Sequence, residues 1–171
     1  MTDPWFIGAR PEPDGSTRFG VWAPYARCIE VCLADGRCEP MYPAGRGYFE
    51  ARIPQTPPGT RYTYALDGSP GRPDPASRSQ PEGVHGPSEV VDPAFPWTVE
   101  HWSGLPLRKY VIYELHIGTF TPEGTFAAVT TMLPRIADLG VTAIEIMPVA
   151  DFAGDRNWGY DGVAPFAPSR V

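Results

Sequence analysis

The region that most limits the fold is a strand, a helix and a second strand between residues 111 and 149. The first strand, residues 111–117, mixes β-branched, aromatic and other apolar residues, and turn-forming residues follow it directly. Thr125 is a suitable N-cap, so a helix should begin near Phe126 and end at Gly140. One apolar stripe of this helix would carry Val129, Met132, Leu133, Ile136 and Leu139.

The second strand, residues 141–149, is hydrophobic along almost its whole length. Such a run is typical of a parallel strand that is covered on both faces, whereas an antiparallel strand with one solvated face alternates. Two parallel strands joined by a helix form a βαβ unit, whose crossover is right-handed in nearly all proteins. We therefore expect a right-handed βαβ unit here.

Short strands separated by turns precede this unit and predict a separate β domain. The firmest covers residues 17–23, and in the next one Ile29, Val31 and Leu33 alternate with more polar positions, the pattern of a half-buried strand. Further strands are expected near residues 5–9, 39–42, 48–53, 61–66 and 89–92. Short strands at this spacing, with glycine and proline between them, predict an antiparallel β-sandwich.

The connection after the last long strand is unusually rich in turn-forming residues. Residues 67–88 contain too much proline, glycine and serine to continue a sheet. A segment of this length in a compact protein usually carries function or packs as an ordered connection, so we expect it to be ordered. Further along, Trp97, Trp102 and Leu105 would be costly to leave in water. We expect these three side chains to be buried between the sandwich and the βαβ unit.

Charge and composition exclude several classes of partner. The chain has 14 basic and 20 acidic residues and a formal net charge of −6. Binding to duplex nucleic acid and polybasic anchoring to a membrane both need clustered cations, which are absent, so we expect neither partner. The amino terminus lacks the basic region and the apolar region of a secretory signal. We therefore expect a cytoplasmic protein, and its oligomeric state is left open.

Three cysteines, Cys28, Cys32 and Cys38, lie close together in the sequence. Their spacing matches no zinc-ligand pattern, and no histidine lies among them. Cysteines of cytosolic proteins are ordinarily reduced. We therefore expect three reduced thiols, no metal site and no cofactor.

The residues best suited to bind a substrate follow the second strand of the βαβ unit. Sites of parallel α/β folds form at the carboxyl ends of strands. This loop offers carboxylates at Asp151, Asp155 and Asp161, hydrogen-bond donors at Arg156 and Asn157, and aromatic faces at Phe152, Trp158 and Tyr160. A sugar ring needs this mixture, because its axial hydrogens form an apolar patch while its hydroxyls need polar partners.

Ordinary structural roles compete with sugar binding at these positions. Trp158 can pack within the loop or contact a ligand, and the sequence favours neither. His116 lies inside the predicted first strand, so a hydrogen-bonded core histidine is favoured over a catalytic base. Glu114 and Glu145 lie within the two strands, where burial would require partners.

Several stretches resemble one enzyme superfamily. "YELHIGTFTPEGTF", "LGVTAIEIMPVADF" and "NWGYDGVAPFAP" resemble the opening of the catalytic barrel of the α-amylase superfamily of glycoside hydrolases. "FGVWAPYA" resembles the sandwich domain of its branching and debranching members, and "PDPASRSQPEGVHGPSEVVD" resembles the passage from that domain to the barrel. Within the superfamily the closest likeness is to the trehalose-releasing hydrolases.

The resemblance implies both a fold and a site. It implies an immunoglobulin-like (E-set) β-sandwich over residues 1–92, a linker over 93–109, and the first βαβ unit of a truncated TIM (β/α)₈ barrel over 110–171. The implied activity is cleavage of an α-1,4 bond that releases trehalose from a maltooligosaccharide-type sugar. Tyr160 would stack beneath the sugar whose bond is cut, Asp161 would organise the pocket, and Trp158 completes the predicted substrate-binding set.

No catalytic residue is predicted in this chain. A complete barrel needs about 250 residues, and the catalytic carboxylates of the superfamily, which follow a retaining mechanism, come from later strands. We therefore expect this chain alone to be inactive. Two other hypotheses are a piece of a glycogen branching or debranching enzyme and a stand-alone carbohydrate-binding module. Asp161 argues against the first, because branching relatives tend to carry Gln and debranching relatives Asn at that position.

Overall fold

Two four-stranded antiparallel sheets form the first part of the protein. The computed structural model describes residues 5–99 and 101–170. The strands of this part are β1 (Gly8–Pro11), β2 (Thr17–Trp22), β3 (Ile29–Leu33), β4 (Cys38–Pro40), β5 (Tyr42–Gly45), β6 (Tyr48–Ile53), β7 (Arg61–Leu66) and β8 (Ser88–Glu89). One sheet has the order β1-β2-β6-β5 and the other the order β4-β3-β7-β8. The predicted β-sandwich is confirmed.

Alternate side chains of the two sheets fill a shared core. Every second residue of β3, namely Ile29, Val31 and Leu33, is buried, as the period-two pattern predicts. Phe19 of the first sheet meets Tyr62 of the second edge to face, with ring centroids 4.9 Å apart. Contacts of this kind join both sheets through one apolar cluster.

The proline-rich connection 67–88 packs against the sandwich. Its Asp74 is only 2% exposed. The Asp74 carboxylate accepts hydrogen bonds from the Tyr62 hydroxyl (2.7 Å) and the Ala76 N–H (2.7 Å). The Asp74 N–H donates to the Ser88 hydroxyl (2.9 Å). These bonds fix the connection to β7 and β8 without regular secondary structure.

A disulfide joins Cys32 to Cys38, and Cys28 is free and exposed. Cys32 in β3 and Cys38 in β4 lie directly opposite each other across the strand pair, with Cα atoms 4.1 Å apart. The expectation of three reduced thiols is therefore wrong. Sequence spacing could not reveal the pair, because the register of the hairpin decides which residues face each other.

The second part of the protein is a βαβ unit, as predicted. Its elements are β9 (Ile112–Leu115), a single-turn helix α1 (Ile117–Phe120), the helix α2 (Phe126–Asp138) and β10 (Ala143–Ile146), and a 3₁₀ turn (Leu107–Lys109) precedes them. The strands pair in parallel, with Leu115 opposite Ile146. The Thr125 hydroxyl caps α2 by accepting from the Ala128 N–H, and Gly140 follows the helix in the left-handed conformation at φ 86°.

Two expectations about burial in this part are wrong. The second strand is not covered on both faces, since Ile146 is 45% exposed. A two-stranded sheet with one long crossover helix packs mainly the face that meets this helix. Trp97 and Trp102 are also largely exposed, at 79% and 74%.

Within residues 5–99 and 101–170, no helix is long and apolar enough to cross a membrane.

Two further strands, β11 (Ala150–Asp151) and β12 (Ala164–Pro168), form an antiparallel pair that the sequence analysis did not predict.

The chain divides into two compact units. The first contains the described residues up to Pro93 together with residues 150–153 and 163–170, and the second contains the remainder of the described chain. The domain boundaries predicted at residues 92 and 109 stay a prediction.

Candidate functional site

The predicted site lies where β9 and β10 end. Because the two strands are parallel and Leu115 faces Ile146, both strands end at the same edge of the sheet. The Met147 N–H extends the ladder by one bond, to the Leu115 carbonyl at 3.0 Å. Residues 116–120 and 154–162 of the second unit supply the side chains considered next.

His116 lies at this edge and not inside the strand, so the predicted position was wrong. It is the N-cap residue of α1 and is half-buried. Its Nε2 lies 2.9 Å from the Asn157 carbonyl oxygen, and its Nδ1 lies 3.3 Å from the Thr119 hydroxyl. A carbonyl oxygen can only accept, so Nε2 donates to it, and in the tautomer protonated at Nε2 alone Nδ1 accepts from the Thr119 hydroxyl. Nε2 therefore holds the loop at Asn157, while Nδ1 contacts α1.

Asn157 organises the turn that carries the predicted aromatic residues. Its side-chain oxygen accepts hydrogen bonds from the backbone N–H groups of Gly159 and, at 3.5 Å, Asp161. Asn157 is thus an acceptor in this turn, and the donor role expected of its side-chain NH₂ group stays a prediction. Gly159 has a φ of 96°, and a Cβ atom there would overlap the Pro148 carbonyl oxygen. Only glycine fits this position, so the turn is fixed by its own sequence.

The three predicted substrate-binding residues are all exposed. Trp158 is 68% exposed and Tyr160 is 71% exposed, and Asp161 is also at the surface. Among the described residues, the Trp158 ring contacts one other ring, that of His116. The two rings meet edge to face with their centroids 5.5 Å apart. Core packing is therefore excluded for both aromatic rings. Their role in binding a sugar stays a prediction.

The acidic residues of this region differ in their surroundings. Asp155 and Asp161 are exposed. Asp151 belongs to the first unit and is fully buried, and neither of its carboxylate oxygens has a hydrogen-bond partner among the described residues. Glu114 and Glu145 face each other across the parallel strands and are exposed, so they need no buried partner. In the described part of the chain, no cluster of three or more His, Cys, Asp or Glu side chains could hold a metal ion.

The positioning role of His116 and Asn157 was missed from the sequence. The signal that could have found it is the Asn-x-Gly spacing of residues 157–159, which is typical of a turn held by an asparagine side chain. The partner of that turn, His116, is 41 residues away in the chain and carries no local signal.

The sandwich and its connection match a known family of sugar-binding domains. Residues 7–92 match the family profile of carbohydrate-binding module 48, the isoamylase N-terminal domain. This match covers half of the chain, and the chain therefore belongs to the carbohydrate-binding module 48 family.

The particular likeness is to the amino-terminal region of malto-oligosyltrehalose trehalohydrolases. The enzyme of this name from Deinococcus radiodurans is 49% identical over 164 residues, which are 95% of this chain and 27% of the relative. The predicted resemblance to trehalose-releasing hydrolases is thereby confirmed. The chain spans only about a quarter of the length of this curated relative.

Solved structures agree with this fold. A Salmonella typhimurium protein provisionally named an alpha amylase superposes with a TM-score of 0.88 at 44% identity, over 96% of this chain and 28% of that protein. A pullulanase from Anoxybacillus sp. LM18-11, complexed with maltotetraose, superposes with a TM-score of 0.77 at 26% identity, over 99% of this chain and 30% of the pullulanase.

Proposed function

We propose that this chain is the amino-terminal region of a glycosidase that cleaves an α-1,4 bond and releases trehalose from maltooligosyltrehalose. The identity of 49% over 95% of the chain supports this activity for the whole protein. In such a protein β9 and β10 are the first two strands of an eight-stranded barrel.

The observation that carries the proposal is the exposed aromatic turn at the carboxyl edge of the two parallel strands. The ring of Tyr160 is open to solvent and belongs to a turn that Asn157 and His116 hold in place. A ring in a fixed orientation can form the floor under a sugar, since the axial hydrogens of the sugar pack on the aromatic face. Asp161, exposed one residue later, can accept hydrogen bonds from the sugar hydroxyls.

The contribution of this chain is to bind and orient the sugar, and not to break the bond. Retaining hydrolysis needs two carboxyl groups about 5–5.5 Å apart, one on each side of the glycosidic bond. Of the described acids in the second unit, Glu114 and Glu145 lie within the strands, Glu123 lies in the turn before α2, Asp138 ends α2, and Asp155 and Asp161 lie on the aromatic turn. None resembles the catalytic carboxylates of the superfamily, which follow later barrel strands. We therefore propose that the chain alone is inactive.

Release of trehalose from maltotriosyltrehalose tests the proposal. We expect no release by the purified 171-residue chain, and release by the protein translated from the reading frame continued past the codon for Val171. Turnover by the purified 171-residue chain would refute the proposed inactivity.

A stand-alone carbohydrate-binding module is the second candidate, and the family match of residues 7–92 favours it. A stop codon directly after Val171, together with binding of maltooligosaccharides by the chain, would replace the proposed glycosidase with this candidate.

A further inference from the structure

The Cys32–Cys38 disulfide lies on the solvent side of the sheet β4-β3-β7-β8. Val31 and Leu33, the neighbours of Cys32 in β3, are buried in the core, so the Cys32 side chain points away from it. Cys32 is half-buried and Cys38 is exposed. The sulfur–sulfur bond is therefore outside the apolar core of the sandwich.

Cys38 also belongs to an edge strand. β4 stands first in the sheet order and consists of three residues. A thiolate that reduces a disulfide must reach one of its two sulfur atoms, so the rate of reduction depends on access to that atom. Because Cys38 is exposed on an edge strand, a reductant can reach the Cys38 Sγ atom while the protein is folded.

Backbone hydrogen bonds hold both ends of the β3–β4 hairpin. At its tip the Leu33 N–H donates to the Arg37 carbonyl at 2.8 Å. Directly after β4 the Met41 N–H donates to the Ile29 carbonyl at 2.8 Å, and the Met41 side chain is buried in the core. None of these bonds involves sulfur, so we expect the hairpin to keep its register when the disulfide is reduced.

The Arg37 side chain ties the tip of the hairpin to the rest of the sandwich. Its Nε donates to the Asp35 carboxylate at 2.8 Å. Its two terminal nitrogens donate to the carbonyl oxygens of Pro54 and Gln55, each at 3.4 Å. Residues 54 and 55 directly follow β6, which belongs to the other sheet. The tip is therefore held in place independently of the disulfide.

This arrangement also favours closure of the same disulfide again. The Cα atoms of Cys32 and Cys38 lie 4.1 Å apart across the strand pair, so the two thiols of the reduced hairpin stay next to each other. Groups that are held together in one molecule react at a high effective concentration. Cys28 precedes Cys32 by four residues, which is about 13 Å along an extended strand. Disulfides ordinarily need Cα atoms within about 7 Å, so Cys28 cannot replace either partner in the folded hairpin.

We infer that the Cys32–Cys38 pair is a reversible thiol–disulfide exchange site, which a dithiol reductant opens while the sandwich stays folded. One thiolate of the dithiol attacks the Cys38 Sγ atom, the bond to the Cys32 Sγ atom breaks, and Cys32 leaves as a thiolate that takes up a proton. The second thiol of the reductant then displaces Cys38 from the mixed disulfide. The dithiol loses two electrons and two protons and becomes a disulfide, and the cysteine pair gains both.

The inferred exchange site does not depend on the proposed glycosidase activity. Its effect is on β4, because the disulfide adds a covalent link to a strand that pairs with β3 through three residues. The redox state of the pair would therefore set how firmly this edge of the sheet is held.

Reduction of the folded 171-residue chain by dithiothreitol tests the inference. The Cys28→Ser variant leaves Cys32 and Cys38 as the two cysteines of the chain. N-ethylmaleimide traps free thiols at set times, and mass spectrometry counts them. Without urea we expect two labels per chain, at a rate proportional to the dithiothreitol concentration. This rate should stay nearly constant between 0 and 1 M urea, whereas a reaction through the unfolded chain should become at least about fivefold faster. The absence of labelling without urea, or such an acceleration, would overturn the inference.

Two single variants identify the sulfur that is attacked. In the Cys28→Ser background, Cys32→Ser keeps the exposed Cys38, and Cys38→Ser keeps the half-buried Cys32. Each variant is the matched control of the other, since both carry one thiol on the same hairpin. We expect the Cys38 thiol to react faster with a small aromatic disulfide. Equal rates, or a faster reaction of Cys32, would refute attack at Cys38.

Reversibility is tested on the unmodified chain. After dithiothreitol is removed, oxidised glutathione should restore the bond between Cys32 and Cys38 and leave Cys28 outside it, as peptide mapping can show. Amide signals of β7 in ¹H–¹⁵N spectra should keep their positions apart from small shifts throughout the cycle. Bonds from Cys28 to either partner, bonds between chains, thiols that stay reduced, or collapse of the β7 signals would each contradict reversible exchange in the folded sandwich.

Discussion

The buried carboxyl of Asp74 should make the sandwich less stable as the pH rises from about 4 to 6. Burial raises the pKa of Asp74 from 3.8 to about 6, although hydrogen bonds from the Tyr62 hydroxyl, the Ala76 N–H and the Tyr64 hydroxyl lower it, as does the charge of Arg78. The side chain is only 2% exposed, so solvent screens the effect little. The carboxyl therefore favours its protonated form in the folded protein.

The sign and size of the effect follow from the two pKa values. Between pH 3.8 and about 6 the folded protein binds a proton at Asp74 that the unfolded chain has lost. Stability from this group is therefore fully present below pH 3.8 and is lost as the pH rises through about 6. The difference between the two pKa values corresponds to a loss of about 3 kcal/mol in the free energy of unfolding over this pH range.

Other carboxylates act in the opposite direction and at lower pH. Hydrogen bonds from Ser16, and then from Arg52, lower the pKa of Asp14 to about 2. Backbone hydrogen bonds likewise lower the pKa values of Asp35 and Asp67. The stability from these groups is present above about pH 4 and is lost as the pH falls. Below about pH 4 these exposed groups therefore oppose the effect of Asp74.

Urea unfolding between pH 3 and 8 measures this dependence. Amide signals of β3 and β7 in ¹H–¹⁵N spectra report the sandwich specifically, and urea adds no ionic screening. Asp74→Asn should remove most of the slope between pH 4 and 6, because its side chain does not ionise. Asp138→Asn makes the same change of charge at an exposed position and should keep the slope. A flat or rising free energy of unfolding from pH 4 to 6 in the unmodified protein would refute the reasoning.

Three further predictions concern the Cys32–Cys38 disulfide, the turn that contains Gly47 and the site around Tyr160. Reducing the Cys32–Cys38 disulfide should lower the free energy of unfolding by about 2 kcal/mol, since it closes a short loop; a variant with serine at both positions should not respond to the reductant in thermal melts. Gly47→Ala should cost about 1–3 kcal/mol and more than Gly36→Ala, because both positions have positive φ but only a Cβ at Gly47 meets a neighbour. In the protein with a complete barrel, Tyr160→Ala should lower turnover roughly a hundredfold and Tyr160→Phe much less. Normal turnover of Tyr160→Ala, with only its melting temperature lowered, would contradict the site.

Elements with a signal in their own sequence were predicted closely. β6 and β7 occupy residues 48–53 and 61–66, as expected, because alternating apolar residues and flanking turns mark both. The start of α2 at Phe126 followed from a cap that the chain carries locally. The stretch near residues 39–42 was less well predicted, since it holds the end of β4 and the start of β5.

Features that depend on distant partners were not predicted. The strands β11 and β12 are joined across a loop of 12 residues, and the pair is too short to show alternation. Trp97 and Trp102 were expected to be buried because large apolar side chains usually are, but hydrophobicity alone does not say which surface is covered. The disulfide was missed for a similar reason, because Cys32 and Cys38 meet only through the register of β3 and β4.

The candidate site shows that residues predicted together from composition can have different roles in the structure. The sequence placed Asn157, Trp158, Tyr160 and Asp161 together as groups that touch a sugar. In the structure the Asn157 side-chain oxygen accepts a hydrogen bond within the turn, and the Asn157 backbone carbonyl accepts one from His116. Both oxygens of Asn157 therefore position the loop. The aromatic rings and Asp161 remain open to solvent. Composition cannot separate positioning from contacting residues, whereas the hydrogen bonds of Asn157 identify it as a positioning residue. The sugar-facing role of Trp158, Tyr160 and Asp161 stays a prediction.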